Sequence, residues 1–361
     1  MENLAVMYRA MGNYEKAEPL QLESKTIMEK TMGKEHPSYA QILIDLALLY
    51  GEMDQYEKAE SLYLEAQVIR GKTLGKEHPD YAGCLNNLAI LYWMMGQYEK
   101  AEPYYLESKN IREKTLGKEH PDYAKSLHNL SVLYGSMSHY EKAEPLQLES
   151  KVLIEKVYGK SHPEYVKGLD HMAALNWHTG DFDSVRSFFL EAEEIEKTYL
   201  VQATRFLSER ELSAYVLKFA GKLDKRFSFA QVHTGISGTC YNNTLFHKGF
   251  LINAASQINK LALTDSASTE YYLRLKSLRR RLATEYAKPT VERKNVAELE
   301  EKANTLEKDL ARTVSGFGEA LRQVSWQEVQ AALKPSEAAI EFVRFNVSLR
   351  RRPYCPAKSG G

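Results

Sequence analysis

The sequence predicts an all-α fold: an α-solenoid, then a helical hairpin region and one stub β-strand. Three observations support this prediction. A sequence block recurs every 42 residues up to about residue 180. Each block contains two stretches with apolar residues at helical spacing. Only residues 338–345 have strand character. A fixed period of this size is typical of stacked supersecondary units that bury their apolar faces against one another.

Two short motifs mark each repeat. The first is a His-Pro pair, found at His36-Pro37, His78-Pro79, His120-Pro121 and His162-Pro163. The second is a Tyr-Glu-Lys-Ala-Glu box, which starts at Tyr14, Tyr56, Tyr98 and Tyr140. Proline suits the first position of a helix, and the glycines at 33, 75, 117 and 159 suit a helix end. We therefore expect one helix to start at each His-Pro pair and a second helix to start at each box.

The repeat text resembles a known family. Asn-Leu-Ala-x-Leu-Tyr, followed by Gly-x-Tyr-x-x-Ala, is similar to the tetratricopeptide repeat in the 42-residue form found in kinesin light chains. HEAT and armadillo repeats share the longer period but lack the second box. The resemblance implies a right-handed tetratricopeptide α-solenoid of about five repeats over residues 1–199, whose first repeat is clipped at its start.

The resemblance also implies a concave groove, lined by the first helix of each repeat, that binds a peptide segment or a partner protein. Asparagine at one position of that helix contacts the ligand backbone in tetratricopeptide receptors, because an amide can pair with a peptide C=O and N–H together. That position is occupied here by Asn3, Asp45, Asn87, Asn129 and His171. Neighbouring side chains are expected to form the polar floor of the groove: Asn86, His128, Lys125 and Lys167. The alternative role for these asparagines is a hydrogen bond to the next repeat.

Charge divides the chain into two halves. Residues 1–200 hold 22 Lys and Arg against 32 Asp and Glu, and residues 201–361 hold 26 against 16, so the whole chain is neutral. The split predicts a boundary near residue 200. Nucleic-acid binding by the basic half is one interpretation; solvated helices are the favoured one, because salt screens surface charge within about 10 Å.

The composition predicts where in the cell the protein is located. No run of 18 apolar residues indicates a membrane span, and the first residues do not resemble a signal peptide. Cys84, Cys240 and Cys355 are too few and too scattered for a disulfide framework. We therefore expect a cytoplasmic protein with no membrane partner.

Residues 200–335 are predicted to be a second helical region. Ser208 is a candidate N-cap with a glutamate three residues later. Two long charged stretches, one around Leu275 and one around Leu306, have the apolar spacing of a packed helical hairpin. Residues 336–361 are predicted to be the stub strand and an irregular basic tail.

Part of this second half resembles another family. The texts Leu-Ser-Glu-Arg-Glu, Asn-Asn-Thr-Leu-Phe-His-Lys-Gly and Trp-Gln-Glu-Val-Gln-Ala-Ala-Leu-Lys-Pro-Ser-Glu are similar to the N-terminal part of CHAT domains, which are caspase-like. The resemblance covers about residues 205–346. It implies that residues 338–345 are an early strand of a caspase-like sheet.

The chain is nevertheless not expected to be an enzyme as it stands. A CHAT peptidase needs a cysteine and a histidine brought together from strand ends, and in the family both follow the strand that ends here near Phe345. Only 16 residues follow Phe345, and none is a histidine. His233 and Cys240 lie before the hairpin with no strand to hold them, so they are not assigned as a catalytic pair.

Neither a metal nor a cofactor is predicted. The four His-Pro histidines belong to successive units separated by helices that pack about 8 to 10 Å apart, whereas coordination bonds are about 2 Å long. They are therefore expected to be loop and cap residues.

The sequence thus favours a non-enzymatic interaction scaffold. The alternative is the sensor part of a CHAT-family cysteine peptidase whose catalytic half is missing from this chain, since the text from Ser348 onward is typical of a frameshift or an early stop.

Overall fold

A computed structural model describes residues 2–10, 12–204, 206–217, 220–238, 240, 242, 244, 246, 262–263, 266–288, 293–313 and 326–333. Within these residues the regular structure is helical, and no strand is formed. The predicted all-α fold is confirmed for this part of the chain. The stub strand predicted at residues 338–345 lies outside the described residues, so the structure gives it no support.

The first ten helices follow one another in pairs. They are α1 (Glu2–Ala10), α2 (Tyr14–Met32), α3 (Pro37–Glu52), α4 (Tyr56–Thr73), α5 (Pro79–Met94), α6 (Tyr98–Leu116), α7 (Pro121–Ser136), α8 (Tyr140–Tyr158), α9 (Pro163–Thr179) and α10 (Phe182–Ala203). Each His-Pro pair precedes or opens the first helix of a pair, and each Tyr-Glu-Lys-Ala-Glu box opens the second, as the sequence predicts.

The His-Pro histidines are N-caps. The Nδ1 atom of His78 accepts a hydrogen bond from the backbone N–H of Asp80 at 3.1 Å, and His120 does the same for Asp122 at 3.1 Å. These bonds satisfy backbone donors that have no partner inside the helix. The predicted cap role is confirmed, and the described residues contain no group of three or more His, Cys, Asp or Glu that could hold a metal ion.

The turn between the two helices of a repeat needs a left-handed residue. Gly96 takes this conformation with φ at 72°. Asp54 and Ser138 hold the same place in neighbouring repeats with φ at 58° and 63°, a region that residues other than glycine seldom adopt.

The Tyr-Glu-Lys-Ala-Glu box joins consecutive repeats. The hydroxyl of Tyr92 donates to Glu60 of the preceding box at 2.6 Å, and Tyr134 donates to Glu102 at 2.7 Å. The box lysine Lys100 lies over the ring of Tyr92, 5.6 Å from its centre, which is a cation–π contact. The box alanines are fully buried: Ala17, Ala59, Ala101 and Ala143. The box is therefore a packing motif.

The repeats share one continuous core. Leucines of the first helices form its centre, among them Leu43, Leu49, Leu88, Leu91, Leu130 and Leu133. Tyr63 and Tyr105 from the second helices fill the space between them. Because this core continues from one repeat to the next, each hairpin needs its neighbours to bury its apolar faces completely.

The chain divides into two compact units, Met1–Phe188 and Phe189–Gly361. The division falls within α10, and the predicted end of the repeat array at residue 199 lies further along the same helix. The second unit contains α11 (Glu209–Leu217), α12 (Ala220–Val232), a 3₁₀ turn (Thr234–Ile236), α13 (Ser266–Tyr286), α14 (Val296–Thr313) and α15 (Trp326–Ala332).

Two predicted features of the second unit are present. Ser208 and Glu211 form a reciprocal cap at the start of α11, since the Ser208 N–H donates to Glu211 and the Glu211 N–H donates to Ser208. Helices α13 and α14 pack as the predicted hairpin through Leu275 and Leu310, with Arg279 paired to Glu307 at 2.9 Å. None of the described helices is long and apolar enough to cross a membrane.

Candidate functional site

A cavity of about 350 Å³ lies in the repeat unit, among residues of α5, α6, α7, α8 and α9. Five of the side chains that the sequence predicts for the groove line it: Asn86, Lys125, His128, Asn129 and Lys167. The structure therefore brings together most of the predicted set between the third and fifth repeats.

Three other predicted groove residues, Asp45, Asn87 and His171, do not line this cavity. Asn87 is half-buried on α5, and Asp45 accepts a hydrogen bond from Gln41 at 3.1 Å on α3. His171 lies beside the cavity. The edge of its ring packs against His128, and its Nε2 atom is 3.1 Å from Ser131 Oγ. A ligand contact by any predicted residue stays a prediction.

Two asparagines of consecutive repeats are joined in the cavity wall. The Nδ2 atom of Asn129 donates to Oδ1 of Asn86 at 2.8 Å. The alternative role considered for the groove asparagines, a bond to the next repeat, is therefore real for this pair. The bond leaves the Nδ2 group of Asn86 as a donor and Oδ1 of Asn129 as an acceptor, which is the pair that one peptide group needs.

His128 presents a neutral ring to the cavity. Burial lowers the pKa of His128 below its usual value, although the hydrogen bond to Gln147 opposes this shift. Nδ1 lies 2.8 Å from Gln147 Oε1, and the Gln147 amide nitrogen donates to the Gly168 carbonyl at 3.4 Å. The ring proton is accordingly on Nδ1, and Nε2 is a hydrogen-bond acceptor.

The lining is net positive although the repeat half of the chain is acidic. Four cationic side chains line the cavity, Arg112, Lys125, Lys151 and Lys167, against two carboxylates, Asp122 and Glu164. The carboxylates are already paired: Lys125 lies 3.2 Å from Asp122, and Lys167 lies 2.6 Å from Glu164. Arg112 and Lys151 have no such ion pair in the described part of the chain.

Arg112 is nine-tenths buried, with 9% of its surface exposed. Its Nη1 atom donates to Ser126 Oγ at 2.8 Å and to the Asp122 carbonyl at 3.2 Å. Burial lowers the pKa of this guanidinium, and the charge of Asp122 opposes the shift. Among the described residues no acceptor bonds to Nη2 or Nε of Arg112.

The preceding repeat shows why. Its equivalent arginine, Arg70, uses Nη1 on the Asp80 carbonyl at 2.8 Å and Nη2 on Gln41 at 2.7 Å. Gly83 stands where that glutamine would be for Arg112. A buried arginine with unused donors beside a cavity is suited to bind a carboxylate.

The cavity exists because the fourth and fifth repeats differ in sequence from earlier repeats at three positions. Gln147 stands where the second and third repeats have the buried tyrosines Tyr63 and Tyr105. Ile154 stands where they have Arg70 and Arg112. Gly168 replaces the Ser126 of the preceding repeat. A Cβ atom at Gly168 would lie 3.3 Å from the Gln147 amide nitrogen, so a larger side chain there would fill this end of the cavity.

Sequence reasoning did not identify Arg112, Gln147 or Gly168. The available signal was the comparison of the repeats: Ile154 and Gly168 differ from the residues at the same position of every preceding repeat, and Gln147 differs from Tyr63 and Tyr105 although the first repeat also has a glutamine there, Gln21.

The second unit offers no nucleophile at Cys240. The thiol is buried and donates to the Arg226 carbonyl at 3.7 Å. Burial raises the pKa of Cys240 to about 12, so the thiolate is suppressed at neutral pH.

Comparison with known proteins identifies the repeats. Residues 1–69, 52–114 and 81–151 match the family model described as tetratricopeptide repeat. Residues 1–151 therefore contain tetratricopeptide repeats, as the sequence predicts. None of this match falls on residues 205–346, where the sequence resembles CHAT domains, so that resemblance is not supported by it. No curated protein matches the chain.

Three solved structures illustrate what the chain is similar to. BtubC (BKLC) from P. vanneervenii is 25% identical, with 54% of this chain and 78% of that chain covered and a TM-score of 0.48. A putative kinesin light chain from Podosopora anserina is 26% identical, with 55% and 94% covered and a TM-score of 0.46. The apo form of RapI is 13% identical, with 89% and 97% covered and a TM-score of 0.46.

Proposed function

We propose that the chain is a non-enzymatic interaction scaffold that binds an extended, acidic segment of a partner protein at the cavity between its third and fifth repeats. Tetratricopeptide repeats generally serve protein interaction, which supports the first half of this proposal. The lining of the cavity supports the second half.

The unused donors of Arg112 are the observation that carries the proposal. A buried guanidinium whose nearest protein partners are neutral is stabilised by an incoming anion. The carboxylate of an aspartate or glutamate side chain has the planar geometry that an arginine binds through two parallel hydrogen bonds.

The asparagine pair supports a polypeptide as the source of that carboxylate. Asn86 offers a donor and Asn129 an acceptor, and a peptide group offers the complementary acceptor and donor. An extended backbone that bonds to both would carry its neighbouring side chains past Lys125, His128 and Lys167. We expect this interaction to take place in the cytoplasm.

Selection from a display library of random extended peptides tests the proposal. The wild-type chain is the bait, and the Gln147→Tyr/Gly168→Ser variant, which restores earlier-repeat residues and fills the cavity, is the counter-selection bait. Peptides retained only by the wild type should be enriched in Asp and Glu. Failure to enrich peptides, or equal retention by both baits, would overturn the proposal.

A second candidate function follows from the sequence text around Trp326. Its similarity to CHAT domains favours a role as the sensor part of a cysteine peptidase whose catalytic half lies outside this chain. The genomic DNA downstream of codon 361, read in all frames, tests this candidate. The candidate would be rejected if no reading frame encoded the histidine and cysteine motifs of CHAT domains.

A further inference from the structure

Lys151 is a second cation of the cavity that has no carboxylate partner. Its equivalent in the preceding repeat, Lys109, pairs with Glu113 one turn later at 3.4 Å. The corresponding carboxylate for Lys151 is Glu155, which lies instead 3.8 Å from Lys160. Within the part of the chain that the structure describes, the charge of Lys151 is therefore not balanced by an ion pair.

The side chain of Lys151 is nevertheless held beside the cavity. A Cβ atom on Gly168 would lie 3.8 Å from the Cβ atom of Lys151, so the start of the lysine side chain packs close to α9. Its ammonium group lies over the ring of Tyr165, 5.0 Å from the ring centre. A cation–π contact of this kind positions the ammonium without neutralising it, so Lys151 can still bind an anion.

The charges of the lining determine which anion balances it. Lys125 and Lys167 are each paired with a carboxylate of the lining, which leaves the charges of Arg112 and Lys151. One aspartate or glutamate side chain of a ligand would balance only one of these two positive charges. A phosphate monoester carries a charge of about −1.5 to −2 at pH 7 and would balance both.

We propose, resting on the function proposed above, that the acidic group bound in this cavity is the phosphate of a phosphorylated serine or threonine in the partner segment. The phosphate contacts both Arg112 and Lys151. The segment is thus recognised in its phosphorylated form.

The available donors match the three oxygens of such a phosphate. Nε and Nη2 of Arg112 share one edge of the guanidinium, and this edge binds two oxygens of one anion through parallel hydrogen bonds. The ammonium of Lys151 donates to the third oxygen. A carboxylate has two oxygens, so it would occupy Arg112 and leave Lys151 without an acceptor.

A short phosphorylated side chain suits the size of the cavity. Asn86, Asn129 and Arg112 all line one space of about 350 Å³. A peptide backbone that bonds to the asparagine pair therefore runs close to the arginine. Serine and threonine place a phosphate nearer to the backbone than tyrosine does, and we assign the site to these two residues.

Four pools of fluorescent peptides are the probes. They have the same degenerate flanking positions and differ only in one fixed central residue, which is phosphoserine, glutamate, serine or phosphotyrosine. Fluorescence anisotropy with the full chain measures their affinities. The phosphoserine pool should bind at least about tenfold more tightly than the glutamate pool, because it forms an additional charged hydrogen bond.

The outcomes separate this inference from the proposed function. Glutamate peptides that bind as tightly as phosphoserine peptides would overturn the inference and leave the acidic-segment scaffold standing. Failure of every pool to bind would overturn both. Tighter binding of the phosphotyrosine pool would overturn the assignment to serine or threonine.

The Lys151→Met variant tests the second cation. It should lose about tenfold in affinity for the phosphoserine pool and less than about twofold for the glutamate pool, because only the phosphate uses both cations. Lys109→Met is the matched control: Lys109 has the same position in the preceding repeat, does not line the cavity, and should change neither affinity. Equal losses for both pools with Lys151→Met would overturn the role of Lys151. Thermal unfolding checks that both variants keep the repeat fold.

Competition with inorganic phosphate decides whether a peptide supplies the anion. Inorganic phosphate should displace the phosphoserine pool only at concentrations far above the Kd of the pool, because it makes no bonds to Asn86 and Asn129. Displacement at concentrations close to that Kd would mean that the cavity binds a free phosphate, and would overturn the assignment of a phosphorylated segment.

Discussion

The Nδ2 atom of Asn129 donates a hydrogen bond to Oδ1 of Asn86, 2.8 Å away, and so joins the first helices of consecutive repeats. The two residues are 43 apart, one more than the repeat period. The same spacing recurs where Arg9 bonds to Glu52 and where Trp93 bonds to Ser136. In these three contacts the partner side chain lies one residue beyond the equivalent position of the next repeat.

This offset distinguishes two adjacent asparagines. Asn86 lines the cavity and Asn87 does not. We predict that Asn86→Ala lowers the affinity for a selected acidic peptide by about tenfold, since a hydrogen bond to the ligand and the bond that orients Asn129 are both lost. Asn87→Ala, one residue away, should change the affinity by less than about twofold. Isothermal titration calorimetry compares the two, and a larger loss with Asn87→Ala would contradict the assignment.

Arg112 and Arg70 form a matched pair for the second prediction. Both are buried and both donate through Nη1 to a carbonyl of the following first helix, but Gln41 occupies the Nη2 atom of Arg70 alone. Arg112→Met should weaken peptide binding by about tenfold to a hundredfold, the worth of a charged hydrogen bond. Arg70→Met should leave it unchanged. Titration of both variants with one peptide is the measurement, and similar losses would show that the effect is structural.

The His-Pro caps predict a stability change with a clear chemical rescue. His120→Ala removes the acceptor for the Asp122 N–H and should lower the free energy of unfolding by about 1 kcal/mol. His120→Asn supplies another good cap and should recover most of this loss. Urea unfolding followed by circular dichroism measures the free energy of unfolding of both variants. An equal decrease in both would show that the His120 ring stabilises the fold by an interaction other than the capping hydrogen bond.

His128 predicts a dependence of stability on pH. Burial lowers its pKa in the folded chain below 6.5, its value in an exposed chain. The unfolded state therefore binds more protons than the folded state once the pH falls below about 6.5. The contribution of neutral His128 is complete above pH 6.5 and is lost progressively as the pH falls through 6.5 toward the folded-state pKa.

The control for this prediction is His128→Asn, which keeps an amide near Gln147 but does not titrate. The free energy of unfolding of the wild type should fall more steeply between pH 6.5 and 5 than that of the variant. Parallel curves for the two proteins would contradict the assignment of a buried neutral ring.

The sequence predicts the repeat helices well because their signals are local. A proline at the first position, a histidine before it and a glycine at the end all act within one turn of the helix that they define. The capping pair Ser208 and Glu211 is predicted for the same reason. The helix starts therefore follow from the text of a single repeat.

The cavity is less predictable because it depends on residues from different helices. Arg112 has unused donors because Gly83, 29 positions earlier, offers no side chain to accept a hydrogen bond. The cavity itself arises because Gln147, Ile154 and Gly168 occur together. Alignment of the repeats places five of the predicted side chains on the helices α5, α7 and α9, which line the cavity. The choice between Asn86 and Asn87 also needs the shift of one residue between neighbouring helices, which only the structure supplies.

Hydrogen–deuterium exchange with and without a selected acidic peptide tests the central claim most directly, since it locates the ligand on the chain. We predict slower exchange in the first halves of α7 and α9, which carry Lys125 to Asn129 and Lys167, and around Gln147 on α8. Unchanged exchange at these three places under saturating peptide, or protection confined to other helices, would contradict the proposal that the cavity beside Arg112 is the binding site.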